Sequence, residues 1–388
     1  MCMLGIIIAS MKHHIVIDAR IRRASSGRPL DRLIEHLQDI DSYNHYTILL
    51  SPDDPWEPRA GNFRALPCPF PQFSLNPLDE LRFAWMLYRL HPDLVHFGMT
   101  QQPLLYFGKI VTMTHDLTMF HFVRRGSTPT LIFWLKMRLY HFLMWWAHKK
   151  STRIIVPTRT TAKELAEFQP FTKRKLVVTL EAAEAAFGGK AKSVKAVSGD
   201  FIMYVGTAFP HKNLRAMIEA FDILHVERPK LTLVLVGKAE KHYEELQAWA
   251  KTRPSYQNIL FTGFLADSQV KWLFEHTQAY VFTSLSEGFG LPPLEAMTSG
   301  APVVCSNASV MPEVYGDAAH YFDARNPKDI AQKIAEVLDN PTLRTELIAK
   351  GKQQVKKYSW RTFAEETLAV YKDILDTTSD VPTPRMDP

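Results

Sequence analysis

The chain has 388 residues, 46% of them hydrophobic and 22% charged, with 46 Lys and Arg against 40 Asp and Glu for a net charge of +6. That length suits two domains of about 180 residues, each able to bury a core, and the composition is globular rather than disordered or fibrous. The charge favours anionic partners without choosing among a nucleotide, a nucleic acid and a membrane surface, and Cys2, Cys68 and Cys305, odd in number and without metal-ligand spacing, argue against a disulfide framework and fit a reducing compartment.

The opening ten residues are apolar but have no basic stretch ahead of them and no convincing cleavage site, so no signal peptide is expected and Met11 is an alternative start. Short Val/Ile/Leu-rich runs then alternate with longer helical patterns, the signature of parallel strands with crossover helices. Strands are expected at 14–17, 46–50, 94–97, 110–114, 154–156 and 176–179, with helices at 30–39, 77–90, 130–149 and 161–168. The longest apolar run, 131–147, is broken by Lys136, Arg138 and His141 and is too polar to span a membrane. Small and flexible residues at 185–199 read as a linker that closes a first domain. A second series follows at 201–205, 231–236, 259–261, 279–282 and 302–305, each run nearly all apolar, as in strands covered by helices on both faces. The chain therefore reads as α/β: two doubly wound Rossmann-like domains, 1–185 and 200–358, joined by a linker at 186–199 and facing each other across a cleft. The tail, 376–388, is expected to be disordered.

In open α/β sheets ligands gather beyond the carboxyl ends of strands, so the informative residues are those on the loops there. The stretch EGFGLPPLEAM follows such a strand and runs into a helix from about Leu291, so Gly288 to Leu291 place backbone N–H groups at a helix N-terminus, a place to hold a phosphate. Glu287 and Glu295 bracket it. A carboxylate repels the same phosphate, so each is better placed to accept hydrogen bonds from sugar hydroxyls. The expected ligand therefore carries both phosphate and hydroxyls. In GTAFPHKNL, Gly206 allows a tight turn, while Lys212, beside His211 and ahead of a helix near Asn213, either neutralises a diphosphate or is a solvated lysine at a helix start. His115, with Asp116, ends the strand VTMT and is either a donor to a sugar hydroxyl or phosphate or a loop histidine satisfied locally. Gly27, in SSGRP, lets backbone approach a ligand or simply makes a turn.

Taken in order, IVIDAR with its glycine loop, VHF, THDL, VPT, YVGT with HKNL, LVLVG, FTGFL, SEGFGLPPLEAM, GAPVVCSNASVMPEVYGDAAHYFD and YSWRTFAEETLAVY resemble segments of the family 4 glycosyltransferases, retaining enzymes of the two-Rossmann-domain GT-B architecture. The resemblance implies that Glu295 takes the nucleotide ribose hydroxyls and that Glu287 contacts the transferred sugar. It implies that the backbone of Gly288, Phe289, Gly290 and Leu291 meets sugar and diphosphate and that Lys212 neutralises the leaving phosphates. His115 would lie near the sugar, Gly27 would close over the diphosphate, and a closing helix at 359–375 would cross back to the first domain. The family often has arginine just after the strand glycine and again beside the lysine. Here Thr207 and His211 stand instead, which lightens the positive charge on the leaving group unless Arg20, Arg22, Arg23 or Arg28 compensates.

The function implied is transfer of a hexose (mannose, glucose or N-acetylhexosamine) from a nucleoside-diphosphate sugar to a glycan or lipid-linked hydroxyl, with retention and with the departing phosphate oxygen as base. No Asp-x-Asp run follows a strand, and a lysine with helix-end amides can do the work of magnesium, so neither a metal nor another cofactor is expected. The helix at 130–149 carries Trp134, Trp145 and Trp146 beside Lys136, Arg138, Lys149 and Lys150. It reads as a core-packing helix with a basic outer side, the preferred reading, or as a face for an anionic membrane bearing the acceptor. Residues 120–122 line an acceptor cleft or belong to the core. The expected location is cytoplasmic, with peripheral contact at the inner membrane face as an option. The rivals are a nucleotide-sugar epimerase of related fold and a basic nucleic-acid-binding protein, the latter with no supporting motif.

Overall fold

The computed structural model describes residues 13–72, 74, 76–122, 130–183 and 190–376. The apolar first ten residues, the alternative start at Met11, residues 185–189 of the expected linker and the tail from 377 lie outside them. The strands are β1 (His14–Asp18), β2 (His45–Leu50), β3 (Phe63–Pro67), β4 (Leu94–Phe97), β5 (Ile110–Met113), β6 (Arg153–Val156), β7 (Leu176–Val178), β8 (Phe201–Val205), β9 (Thr232–Val236), β10 (Ile259–Gly263), β11 (Ala279–Phe282), β12 (Val303–Ser306) and β13 (Ala319–Phe322). The helices are α1 (Arg28–Ile40), α2 (Pro77–Leu90), α3 (Thr118–His121), α4 (Thr130–Lys150), α5 (Arg159–Phe168), α6 (Leu214–Glu227), α7 (Lys241–Ala250), α8 (Asp267–His276), α9 (Leu291–Thr298), α10 (Met311–Tyr315), α11 (Pro327–Asp339), α12 (Pro341–Gln354) and α13 (Trp360–Asp376). They fall into two compact units. Unit 1 holds the described parts of Met1–His115, Arg125–Leu180 and Trp360–Pro388; unit 2 holds those of Asp116–Arg124 and Glu181–Ser359.

Unit 1 is built on a seven-stranded sheet in the order β3-β2-β1-β4-β5-β6-β7, every pairing parallel. The residues of β4 and β5 are all buried, because helices cover both faces of the sheet. β3 lies at the edge, and its half-exposed FRALP breaks the apolar-run signal that marks the central strands. On α1, Leu30, Leu33, Ile34 and Leu37 recur at helical spacing and are buried. α13 packs against α1 and is fixed by three further contacts: the Tyr371 hydroxyl with His96 Nδ1, Lys109 Nζ to the Ile374 carbonyl at 2.9 Å, and Arg153 to Asp373 at 2.7 Å. Its buried face includes Trp360, Phe363, Leu368, Tyr371 and Ile374, and each such side chain stabilises by roughly 1.5–3 kcal/mol.

The preferred core reading of α4 does not hold. Phe133, Met144, Ala147 and His148 are buried, but Leu131, Ile132, Trp134, Leu135, Leu139, Phe142 and Trp145 are exposed. The apolar residues run all round this helix, and only a narrow strip of it meets the sheet.

Unit 2 has six parallel strands in the order β10-β9-β8-β11-β12-β13. Of the stretch read as a linker, residues 190–199 pack here: Val194 and Val197 are buried in the unit's core, and Lys192 N–H donates to the Ser268 carbonyl at 2.9 Å. β13, at the edge of this sheet opposite β10, is short and half-buried and carried no strand signal.

Two buried histidines give unit 1 an acid-sensitive core. Burial pushes His96 down to about 3, and burial pushes His148, bonded to Thr114 Oγ1 and Gln169 Oε1 at 2.8 Å each, down to about 4. In the unfolded chain both titrate near pH 6.5, so below that value the unfolded state binds more protons. Stability is therefore complete above about pH 6.5 and is lost as pH falls toward the folded values, by on the order of a few kcal/mol. The urea midpoint is expected to drop between pH 7 and pH 5, and His96→Asn is expected to flatten that slope; an unchanged slope would refute the assignment.

Candidate functional site

The strand order of unit 2 reverses between β8 and β11, and the loops leaving these two strands, 206–213 and 283–290, form a topological switch point. Gly206, Thr207, His211, Lys212, Glu287, Gly288, Phe289 and Gly290 all lie on these loops, and Leu291 and Glu295 lie on α9, which follows the second. The structure thus gathers at one place ten residues that the sequence presents in two stretches.

The loops are sewn together by backbone and hydroxyl contacts. Leu285 N–H donates to the His211 carbonyl at 2.7 Å, and Thr283 Oγ1 donates to the Lys212 carbonyl at 2.8 Å. This fixes the lysine's backbone and lets its ammonium reach Glu287 Oε1 at 2.5 Å, with only 15% and 12% of the two side chains exposed. The aromatic ring of Phe282 lies 5.7 Å from the same ammonium. Ser309 Oγ holds the glutamate's backbone from the other side, accepting from Glu287 N–H at 3.4 Å and donating to its carbonyl at 3.2 Å. Glu295, one turn beyond Leu291, is 7% exposed. Burial of a lysine and two carboxylates in one small region is a feature of binding and catalytic sites rather than of surfaces.

The start of α9 is narrower as an anion site than its sequence suggests. Pro292 and Pro293 carry no N–H, so within the first turn the helix can offer the donors of Gly290 and Leu291 alone. Gly290 has φ +82°, and a Cβ there would stand 2.2 Å from the Tyr315 hydroxyl, which itself donates to the Gly290 carbonyl at 2.7 Å. Phe289 is buried with its ring edge-on to Tyr358 at 5.4 Å.

Thr207 is exposed, and its carbonyl accepts from the Tyr204 hydroxyl at 2.9 Å. His211 is buried between the rings of Phe209 and Phe122, 6.0 and 6.1 Å away. Phe122 and α3 count with unit 2, where Thr118 Oγ1 bonds Ser286 Oγ at 3.0 Å; Phe120 and Phe122 are half-buried and His121 is exposed, so residues 120–122 are not core.

Gly27 and His115 belong to unit 1. Gly27 is buried just before α1, and a Cβ there would meet the Ile21 carbonyl oxygen at 2.1 Å, so close backbone packing requires the glycine. His115 Nε2–H donates to the Gly98 carbonyl at 2.9 Å. Two of the arginines considered as compensating charge are already committed: Arg20 to Asp18 at 2.6 Å, and Arg22 to Asp31 and Asp54 at 2.5 and 2.7 Å. Arg23 is exposed, 3.6 Å from Asp53.

Sequence reasoning missed the scaffold of the site. Tyr204, Tyr243, Tyr280 and Tyr315 are buried, and each donates its phenol to a backbone carbonyl of these loops or the strands beneath: Thr207, Gly206, Val205 and Gly290. Burial raises all four phenols, so they stay protonated donors. Tyrosines inside apolar runs such as FIMYV and AYVF were the available signal, since a buried phenol needs a partner. Among the described residues no three His, Cys, Asp or Glu side chains converge as metal ligands. Gly290→Ala is expected to destabilise the protein by about 1–3 kcal/mol through the strained φ and the lost Tyr315 bond; a urea midpoint within error of wild type would contradict this.

Comparison with known proteins gives the fold a family. The profile described as glycosyltransferase family 4 matches residues 28–179, and that described as glycosyl transferases group 1 matches 189–354. The chain is 34% identical to the O-antigen chain mannosyltransferase B of Escherichia coli over 44% of this chain and 45% of that one, so it spans less than half the length of that relative. It superposes on the sucrose-phosphate synthase of Thermosynechococcus elongatus with a TM-score of 0.73 at 14% identity, covering 94% of this chain and 100% of that one. It superposes likewise on Anabaena Alr3699/HepE in complex with UDP-glucose, with a TM-score of 0.69 at 14% identity, covering 93% and 100%. At such identity these structures bear on the fold alone, while the two profiles, matching consecutive stretches across both parallel sheets, show that the chain belongs to the family 4 glycosyltransferases, with the GT-B fold.

Proposed function

We propose that the chain transfers a hexose from a nucleoside-diphosphate sugar to a hydroxyl of a glycan or lipid-linked acceptor, with retention of configuration and without a divalent metal. The observation that carries this is the Lys212–Glu287 pair at 2.5 Å on the switch-point loops of unit 2, with Glu295 buried on α9, which follows the second loop. Breaking the anomeric C–O bond builds negative charge on the departing diphosphate, so the site needs a cation that is held in place yet can be recruited. Lys212 meets both conditions. Its ammonium passes from Glu287 to the diphosphate, the N–H groups of Gly290 and Leu291 add the positive end of α9, and the released carboxylate accepts hydroxyls of the sugar. Glu295 takes the ribose hydroxyls. The acceptor hydroxyl attacks from the face the diphosphate leaves, and its proton goes to the departing phosphate oxygen. Mannose is favoured among the candidate hexoses by the name of the E. coli relative.

Unit 1 supplies the second part of the proposal, contact with the inner face of an anionic membrane. The exposed Leu131, Trp134, Leu135, Phe142 and Trp145 of α4 stand beside exposed Lys136, Arg138 and Lys149, and this 21-residue helix contains no acidic residue. Aromatic and cationic side chains together on one helix suit a headgroup boundary. Among the described residues no helix is long and apolar enough to cross a membrane.

A thermal-shift series with GDP-, UDP- and ADP-sugars is expected to raise the melting temperature for one base class. Glu287→Gln frees Lys212, so it should bind the bare nucleoside diphosphate at least as tightly as wild type while losing about 10²–10³-fold in transfer. A product of inverted configuration by NMR would overturn the mechanism, and an isomerised sugar formed without acceptor would reveal an epimerase instead. In co-sedimentation with phosphatidylglycerol vesicles, Lys136→Glu/Arg138→Glu should lose at least about tenfold in partitioning, at roughly 1 kcal/mol per cation; binding equal to that of wild type would remove the membrane from the proposal.

A further inference from the structure

Unit 1 contains a cavity of about 590 Å³ between α2 and α4, within the range of about 300–1,000 Å³ that small-molecule sites occupy. One side is apolar, formed by Phe70, Leu81, Phe83, Leu105, Leu139 and Leu143. The charged groups in the wall are already engaged or subdued: Arg20 is held by Asp18 and by the carbonyls of Phe70 and Pro71, Asp79 accepts from the Ser74 hydroxyl at 2.7 Å, and burial raises Glu80 toward its neutral form. An ionic ligand group would find no open partner among these. The wall does hold Gln72, Gln101 and Gln102, and the Oε1 of each is buried without a hydrogen-bond partner among the described residues. Buried amide oxygens are normally satisfied, and three in one wall ask for donors such as ligand hydroxyls.

The cavity is continuous with the exposed apolar face. Leu81, Leu105 and Leu139, which line it, are 49%, 51% and 42% exposed, and beside them α2 presents Leu78, Trp85 and Tyr88 to solvent. Leu78, Leu81, Trp85 and Tyr88 recur at helical spacing, forming an exposed apolar stripe that runs to the cavity mouth, where the Tyr88 hydroxyl donates to the carbonyl of Leu105 at 3.1 Å. An apolar chain can therefore pass from this face into the cavity without crossing water. The exposed cations of α4 suit the anionic headgroups around such a chain.

We propose that this cavity binds the apolar chain and the first hydroxyl-bearing group of an amphiphilic acceptor, the chain against Leu81, Leu105, Leu139 and Leu143 and the hydroxyls on the glutamine amides. The use of the site in transfer rests on the function proposed above; the binding does not. The test is isothermal titration calorimetry of the full chain with dodecyl α-mannoside, kept below its micelle-forming concentration, against methyl α-mannoside. The dodecyl glycoside is expected to saturate one site at least tenfold more tightly than the methyl glycoside. Leu143→Trp, which fills the cavity, and Leu105→Glu, at its half-exposed rim, should each weaken it at least tenfold, and the rim variant decides if the filled one fails to fold. Equal binding of the two glycosides, more than one dodecyl molecule per chain without saturation, or unchanged binding in folded variants would overturn the proposal. Donor turnover measured on the same samples separates the two readings: a saturable dodecyl site without any transfer would sink the transferase and leave the cavity, whereas transfer with no chain-length preference in binding would sink the cavity alone.

Discussion

Lys212 and Glu287 meet at 2.5 Å because the strand order of a parallel sheet reverses between β8 and β11, and much else in unit 2 serves to keep them there. Neither side chain has enough solvent around it to stand alone. Removing one member of a largely buried pair leaves the other charged and undersolvated, which is far costlier than the net worth of the pair. The arrangement is therefore stable only as a pair or with a ligand that replaces one member, and a diphosphate with an adjacent sugar offers a partner to each. In this reading the donor site is prepared by an internal ion pair that the ligand exchanges for itself.

That exchange depends on a rigid frame. Hydroxyl and backbone bonds tie the β8 and β11 loops to each other, and four buried phenols brace them: Tyr204 of β8 and Tyr243 of α7 hold the first loop, Tyr280 of β11 holds Val205 at the end of β8, and Tyr315 of α10 holds Gly290. Phenols raised by burial do not ionise at working pH, so the frame is indifferent to the charges that come and go above it. The prolines at the start of α9 act in the same direction, fixing backbone while concentrating the remaining N–H donors at two positions.

The central architecture was legible in the sequence because strands covered on both faces are written as unbroken apolar runs, as in β4, β5, β8 and β11. The edge strands β3 and β13 were not, since Arg64 interrupts FRALP and His320 interrupts AHYF, whereas the edge strands β7 and β10 keep apolar runs in LVV and ILF. The β8 and β11 loops could be located in the sequence because each is contiguous in the chain. Their tyrosine supports were not, because a phenol's partner depends on packing that no spacing encodes. The α4 helix misled for a related reason: apolar residues on every side give no periodicity by which to tell a buried face from an open one. The cavity beneath it draws its walls from Arg20 and from residues within 70–72, 77–83, 100–105 and 139–144, an assembly visible only once the chain is folded.

The return of α13 to unit 1 has a consequence for biosynthesis. The helix that covers α1 and reaches His96 through Tyr371 is translated only after every strand of unit 2. The N-terminal sheet must then wait, with part of its hydrophobic surface uncovered, while the whole of unit 2 is translated. Nascent chains are exposed to chaperones and to misassembly throughout that interval, and a premature stop near residue 360 would injure unit 1, whose sheet precedes unit 2 in the chain, rather than unit 2.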